Sequence, residues 1–328
     1  MKRVTLQDIG DKLNLSKVTV YNALNNKPGL SEETRNLVLQ TAKAMNYKPS
    51  NSHFKTGLTF VFAIHRAFFC SQSEKFYTNI YYHLINECKY IESSINLLLY
   101  DDENEFLISL KEEIEKNYLS GIFFAGETST HIMESVKDIS IPVVYIDFYS
   151  PSFSNNYVFL DNYHSSLLVT NYLINHGHTN IGFIGNTKST SAICDRYFGY
   201  LKALMFADIT PNPKWFINQN IEKTLDLDKI LPDELPTAFV CHCDEAARAL
   251  YLALRLKNLS VPDDISVISF DNTDICKELK PNLTSVGASK ERYAKRSLEL
   301  MLDTINGNKE GSKTLRPTLH ERASVKKL

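Results

Sequence analysis

Residues 4–47 constrain the chain most, because two short amphipathic segments there are joined by only three residues and followed by a third, capped segment. In the first segment Leu6, Ile9 and Leu13 recur at the spacing of one buried helical stripe, with Thr5 placed as a cap and Gln7, Asp8, Asp11 and Lys12 pointing outward. Asn14-Leu15-Ser16 leaves room only for a sharp change of direction, and the Ser16 hydroxyl can accept from the amides that open the next helix. From Lys17 onward a period of about 3.6 places Val20, Ala23 and Leu24 inward and Lys17, Val18, Tyr21 and Asn22 outward. That outer face combines a cation, a small apolar group, a phenol and an amide. These are groups that read base edges in a major groove: lysine bonds guanine, asparagine bonds adenine, and an aliphatic group packs on a thymine methyl. After a turn at 25–29, Ser31 caps a third helix with Glu32 and Glu33 in its first turn. Leu37, Val38, Thr41, Ala42 and Met45 are expected to close a three-helix core.

The charge distribution separates this segment from the rest. Residues 1–60 hold nine Lys/Arg against four Asp/Glu, a net +5, and the remainder carries −7 within a chain of formal net charge −2. A basic head on an acidic body is the footprint of a protein that meets a polyanion at one end. No export signal and no apolar run of membrane-spanning length is present, so a cytosolic protein without a membrane partner is expected. The six cysteines follow no disulfide-framework spacing and read as free thiols.

Beyond residue 57 apolar runs alternate with helical patterns. The runs at 58–64, 95–100, 121–126 and 141–147 suit buried parallel strands, and the unit restarts at 157–161, 180–185, 237–242 and 265–271. The expected class is α/β: two parallel sheets flanked by helices, with ligand space at the carboxyl ends of the strands.

The order of residues resembles the lactose-repressor (LacI/GalR) family of bacterial transcription regulators over essentially the whole chain. In the headpiece the resemblance is carried by Thr5, Asp8-Ile9-Gly10, the run from Leu15 to Asn25, the run from Leu30 to Val38, and Asn46-Tyr47-Lys48-Pro49. In the body it is carried by Asp161-Asn162, the run from Gly177 to Gly185, Asp195-Arg196-Tyr197-Phe198-Gly199-Tyr200, the run from Val261 to Val267, Phe270-Asp271-Asn272 and the run from Pro281 to Val286. The resemblance implies a helix-turn-helix headpiece and hinge at residues 1–57 and a periplasmic-binding-protein-like effector and dimerisation domain at 58–328. Its first lobe would span about 58–152 and 285–310 and its second about 153–284 and 311–328, with the chain crossing between lobes three times.

It further implies that Thr5, Ser16, Thr19, Ser31 and Thr34 hold backbone phosphates while Lys17, Val18 and Asn22 face base edges, with Leu6, Tyr21 and Asn25 completing the DNA-facing set. Ser31 and Thr34 also have local structural roles open to them. Two departures bear on the operator. Most relatives carry Ser-Arg where this chain has Tyr21-Asn22, which exchanges a guanine contact for an adenine contact. The connector at 49–57 lacks the family's Ala-Arg and leucine, leaving Phe54 either to wedge into the minor groove or to pack on the body.

For the effector, the resemblance points to Arg196 and Asp271 from the second lobe and to Phe76 and Tyr77 after the first strand. The guanidinium and carboxylate suit hydroxyls or carboxylates but can equally form an interior ion pair, and the aromatics can stack on a ligand or belong to the core. Cys243 stands where relatives have asparagine, which weakens hydroxyl recognition on that side. Cys241-His242-Cys243-Asp244 and His176-Gly177-His178 offer metal-binding residue types without a metal-binding spacing, and no cofactor fingerprint or nucleophile–base set appears. The expectation is an effector-responsive, DNA-binding repressor of carbohydrate-related genes, acting as a homodimer on operator DNA with a sugar, sugar phosphate or related effector. A solute-binding receptor and an enzyme of the cleft are the alternatives; the first lacks an export signal and the second lacks catalytic residues.

Overall fold

A computed structural model describes residues 4, 6–24, 30–45, 57–69, 75–117, 119–153, 156–219, 227–308 and 311–328. The chain divides into two compact units, residues 1–56 and 57–328.

The first unit contains α1 (Leu6–Leu13), α2 (Lys17–Leu24) and α3 (Glu32–Ala44). Ile9, Val20, Ala23, Val38 and Ala42 are buried together, and Leu13, Leu15, Leu24, Leu30 and Met45 pack around them. The turn between α1 and α2 depends on a close approach: a Cβ on Gly10 would stand 2.6 Å from the Leu15 carbonyl oxygen. With hydrogen at that position, the Leu15 amide donates to the Gly10 carbonyl at 2.9 Å, and Asn14 takes the left-handed conformation at φ 52°. Leu37 departs from expectation, being 49% exposed. A core this small accepts one stripe of α3, and the i, i+4 pair Val38 and Ala42 occupies it, leaving Leu37 a hundred degrees to one side.

The second unit builds its first sheet from β1 (Thr59–His65), followed by α4 (Arg66–Phe69) and α5 (Phe76–Tyr90), then β2 (Ser94–Tyr100), α6 (Glu103–Asn117), β3 (Gly121–Ala125), α7 (Thr130–Ser135), β4 (Val143–Ile146) and β5 (Asn156–Leu160). The second sheet follows with α8 (Asn162–Asn175), β6 (Ile181–Ile184), α9 (Ser191–Phe206), β7 (Phe216–Ile217), α10 (Leu227–Ile230), β8 (Ala238–Cys241), α11 (Asp244–Leu256), β9 (Ser266–Phe270), α12 (Ile275–Glu278) and β10 (Thr284–Gly287). The chain ends with α13 (Lys290–Ile305), β11 (Lys313–Leu315) and β12 (Thr318–His320).

Strand order is β11-β5-β4-β3-β1-β2 in the first sheet, all parallel, and β12-β10-β9-β8-β6-β7 in the second, where only β12 runs antiparallel. Parallel strands covered on both faces must be apolar at every position, and β1 obeys this: Phe60, Phe62 and Ile64 enter one core while Val61 and Ala63 enter the other. Helix α13 packs against α5 in the first lobe, so the chain passes between lobes after β5, after β10 and after β11.

The expected lobe boundaries change in two respects. The run at 157–161, expected to open the second lobe, falls in β5, which pairs with β4 and so closes the first sheet. Residues 284–287 and 313–315 also exchange places, with β10 in the second sheet and β11 in the first. An apolar run announces a strand but carries no information about which edge it will join, and the crossing falls wherever the chain has length to turn. Within the second lobe, a Cβ on Gly199 would lie 2.3 Å from the Tyr163 carbonyl oxygen, which is how α8 and α9 come to pack so closely.

Candidate functional site

In the first unit the two serines act as helix caps. Ser16 Oγ accepts from the Thr19 amide at 3.0 Å and pairs with the Thr19 hydroxyl at 2.8 Å; Ser31 Oγ accepts from the Thr34 amide at 3.2 Å and pairs with the Thr34 hydroxyl at 2.8 Å. Lys17 is exposed on α2 and Val20 and Ala23 are buried, as the periodicity expects, whereas Asn22 and Leu24, expected on opposite faces, are both half-buried. Thr5, Asn25 and Phe54, and the side chains of Leu6, Val18 and Tyr21, lie outside the described residues.

In the second unit the carboxyl ends of both sheets border one cavity of about 920 Å³. Every effector residue expected from the sequence lines it: Phe76 and Tyr77 from the first lobe, Arg196, Cys243 and Asp271 from the second. Arg196 is 5% exposed, and three of its donors are engaged. Nε donates to Asn162 Oδ1 at 2.8 Å, Nη1 to the His242 carbonyl, and Nη2 to Asp271 Oδ1 at 3.0 Å, with the guanidinium 4.5 Å from the centre of the Phe270 ring. Of the two roles left open by the sequence, the structure shows the interior ion pair, and the pair also forms part of the cavity wall. A guanidinium has five N–H groups, so it retains donors beyond these bonds.

The other expected residues are tied in as well. Phe76 is buried, edge-on to Tyr77 and Tyr293 with ring centres at 5.0 and 5.6 Å, and Lys290 Nζ sits 4.7 Å from its ring centre. The Tyr77 hydroxyl donates to Asp147 Oδ2 at 3.0 Å. Cys243 is the N-cap of α11, its Sγ accepting from the Ala246 amide at 3.4 Å. Of the residues weighed for metal binding, His178 is buried with Nδ1 2.9 Å from the Thr237 hydroxyl and Nε2 3.2 Å from the Lys326 carbonyl.

Sequence reasoning missed a set of first-lobe and rim residues. Asp147 follows β4 with φ 60°, accepts from the Tyr293 hydroxyl at 2.7 Å as well as from Tyr77, and burial pushes its carboxyl up to about 6. Glu127, after β3, accepts from the Ser191 amide at 3.1 Å and hydroxyl at 3.0 Å, which links the first lobe to the start of α9; burial raises its carboxyl too. A second link joins the lobes where the Tyr149 hydroxyl donates to Asp195 Oδ2 at 3.1 Å. A signal for Asp147 was present: VVYID at 143–147 and VISFD at 267–271 share one pattern, an apolar strand closed by aspartate.

Comparison with known proteins decides the family. The sequence profile described as "Bacterial regulatory proteins, lacI family" matches residues 5–50, and the one described as "Periplasmic binding protein-like domain" matches residues 170–325. The chain belongs to the LacI family of bacterial regulatory proteins. This LacI-family chain is 29% identical to the HTH-type transcriptional repressor PurR of Pasteurella multocida over 334 residues, covering 98% of each chain. Its fold is shared with the transcriptional regulator CelR in a cellobiose complex, at TM-score 0.73 and 20% identity over 98% of this chain and 100% of the other. The lac repressor dimer bound to operator and the anti-inducer ONPF gives TM-score 0.70 and 19% identity over 99% and 100%. These relatives are regulators, not enzymes. Among the described residues no helix is long and apolar enough to cross a membrane.

Proposed function

We propose that this LacI-family regulator is a cytoplasmic repressor that binds operator DNA as a homodimer, reads base edges through Lys17, Val18 and Asn22 of α2, and answers to a small polar molecule held between the lobes. Carbohydrate-related genes are its proposed targets. The observation that carries the reading is the joining, in one chain, of a lacI-family headpiece to a two-lobed unit whose cleft is walled by Arg196 and Asp271. Two headpieces on a two-fold axis match two half-sites, and linking them raises affinity through effective concentration. A ligand that favours one lobe arrangement shifts operator occupancy by its differential affinity for the two arrangements, typically about 5- to 150-fold.

The test is selection of duplex fragments from a random pool by the purified protein, followed by titration of the selected fragment at rising salt. A pseudo-palindromic site and a steep log–log salt slope are expected. A flat slope and no selected sequence would remove the DNA-reading role.

A further inference from the structure

The electrostatics of the cleft narrow the class of ligand, and this inference rests on the effector reading above. Six carboxylates line the cavity among the described residues, from Asp101, Glu103, Glu127, Asp147, Glu245 and Asp271, against two guanidinium groups, Arg66 and Arg196. Both cations are already paired, Arg66 with Asp101 at 2.7 Å and Arg196 with Asp271 at 3.0 Å. Lys290, outside the lining, donates to the Asp271 carbonyl behind Phe76.

The remaining inner carboxylates have weaker partners. Asp147 is held by two tyrosine hydroxyls, and Glu127 by the amide and hydroxyl of Ser191. Glu245 is 5% exposed; Arg248 takes its Oε1, while its Oε2 is buried with no hydrogen-bond partner among the described residues. A buried carboxylate oxygen without a donor is costly, and two further carboxylates stand in the same cavity without a cation bonded to them. An anionic ligand would add repulsion to this excess, whereas a cation with several N–H donors would relieve it.

We infer that the cleft takes a hydroxyl-rich small molecule bearing a protonated amine, with the ammonium group seated against the carboxylates of Asp147 and Glu127, and discriminates against phosphorylated and carboxylated analogues. Hydroxyls on the same molecule meet the remaining donors of Arg196 and the Asp271 carboxylate. The ring face meets Tyr77 and Phe76.

The experiment is calorimetric titration of the full-length protein with matched hexosamines, their parent hexoses, the hexose 6-phosphates and the hexonates. The expected result is tightest binding by a hexosamine, about tenfold or more over its parent hexose, with no measurable binding of the anions, since a hydrogen bond between charged groups is stronger than one between neutral groups. Glu127→Gln and Asp147→Asn, each checked for an unchanged far-ultraviolet spectrum, should both narrow that preference; a preference that survives both variants overturns the assignment of the ammonium seat. A hexose or an anion that binds as tightly as the amine overturns the ligand class and leaves the effector cleft standing. No binding by any member, together with operator affinity unaffected by all of them, overturns both.

Discussion

Asp147 and Asp271 occupy equivalent positions in the two lobes, each one residue beyond a central strand, each in a left-handed backbone conformation, at φ 60° and 93°, and each lining the same cavity. Positive φ is uncommon for a residue with a side chain, and aspartate is among the few that tolerate it. Both residues thus hold a backbone conformation that most side chains avoid, at the wall of the cavity. Their partners differ: Asp271 is paired with a guanidinium and Asp147 with two phenols.

That difference has a pH signature. The Asp147 carboxyl titrates near 6 in the fold against an ordinary value of 3.8, so its contribution to stability is complete below the ordinary value and is lost as pH rises through about 6. Asp147→Asn does not titrate. The melting temperature of the wild type minus that of the variant should fall between about pH 4 and pH 6.5 and level off above. A difference that is constant across this range would mean the carboxyl is not perturbed.

On the headpiece, Lys17→Ala and Asn22→Ala should change which sequences are selected as well as how tightly they bind. Loss of an amide that bonds a base edge costs on the order of 1–3 kcal/mol at its own position and relaxes preference there. Binding-site selection with each variant checks this. A uniform loss across all fragments would assign both side chains to phosphate contact.

The hydroxyl of Tyr149 is one of two described hydrogen-bond links by which first-lobe side chains reach α9. Tyr149→Phe removes it and should make the lobe arrangement of the structure less favourable by about 1 kcal/mol, a shift of roughly fivefold. Limited proteolysis of the ligand-free protein should quicken by a comparable factor while secondary structure is retained. An unaltered rate would place the lobes' association elsewhere.

Gly199→Ala drives a methyl group into the Tyr163 carbonyl, and α8 and α9 have to move apart. Overpacking of this kind costs about 1–3 kcal/mol, and scanning calorimetry should show the loss in the transition of the larger unit. An undiminished transition temperature would indicate that the two helices separate without cost.

Much of this was legible in the residues. The α1 and α2 faces, the Ser16 and Ser31 caps and the buried parallel strands follow from periodicity and local hydrogen bonding, which act within a few residues. The join of β5 to β4 was not legible, because edge pairing depends on chain length and sheet closure rather than on the strand's own composition. Leu37 was misplaced because helical spacing gives two candidate stripes and only the partner helices choose between them. Glu127 and Glu245 escaped notice for a related reason: a carboxylate in a turn after a strand or in the first turn of a helix looks like any solvated residue until its burial is known. Arg196 and Asp271 were found through family resemblance, yet their bond to each other required the fold.

Because three covalent threads tie the halves of the larger unit together, neither half can detach from its neighbour, and any relative movement has to be taken up by those threads. Substitutions within the threads themselves should alter how strongly the protein responds to a compound without touching any atom that grips it.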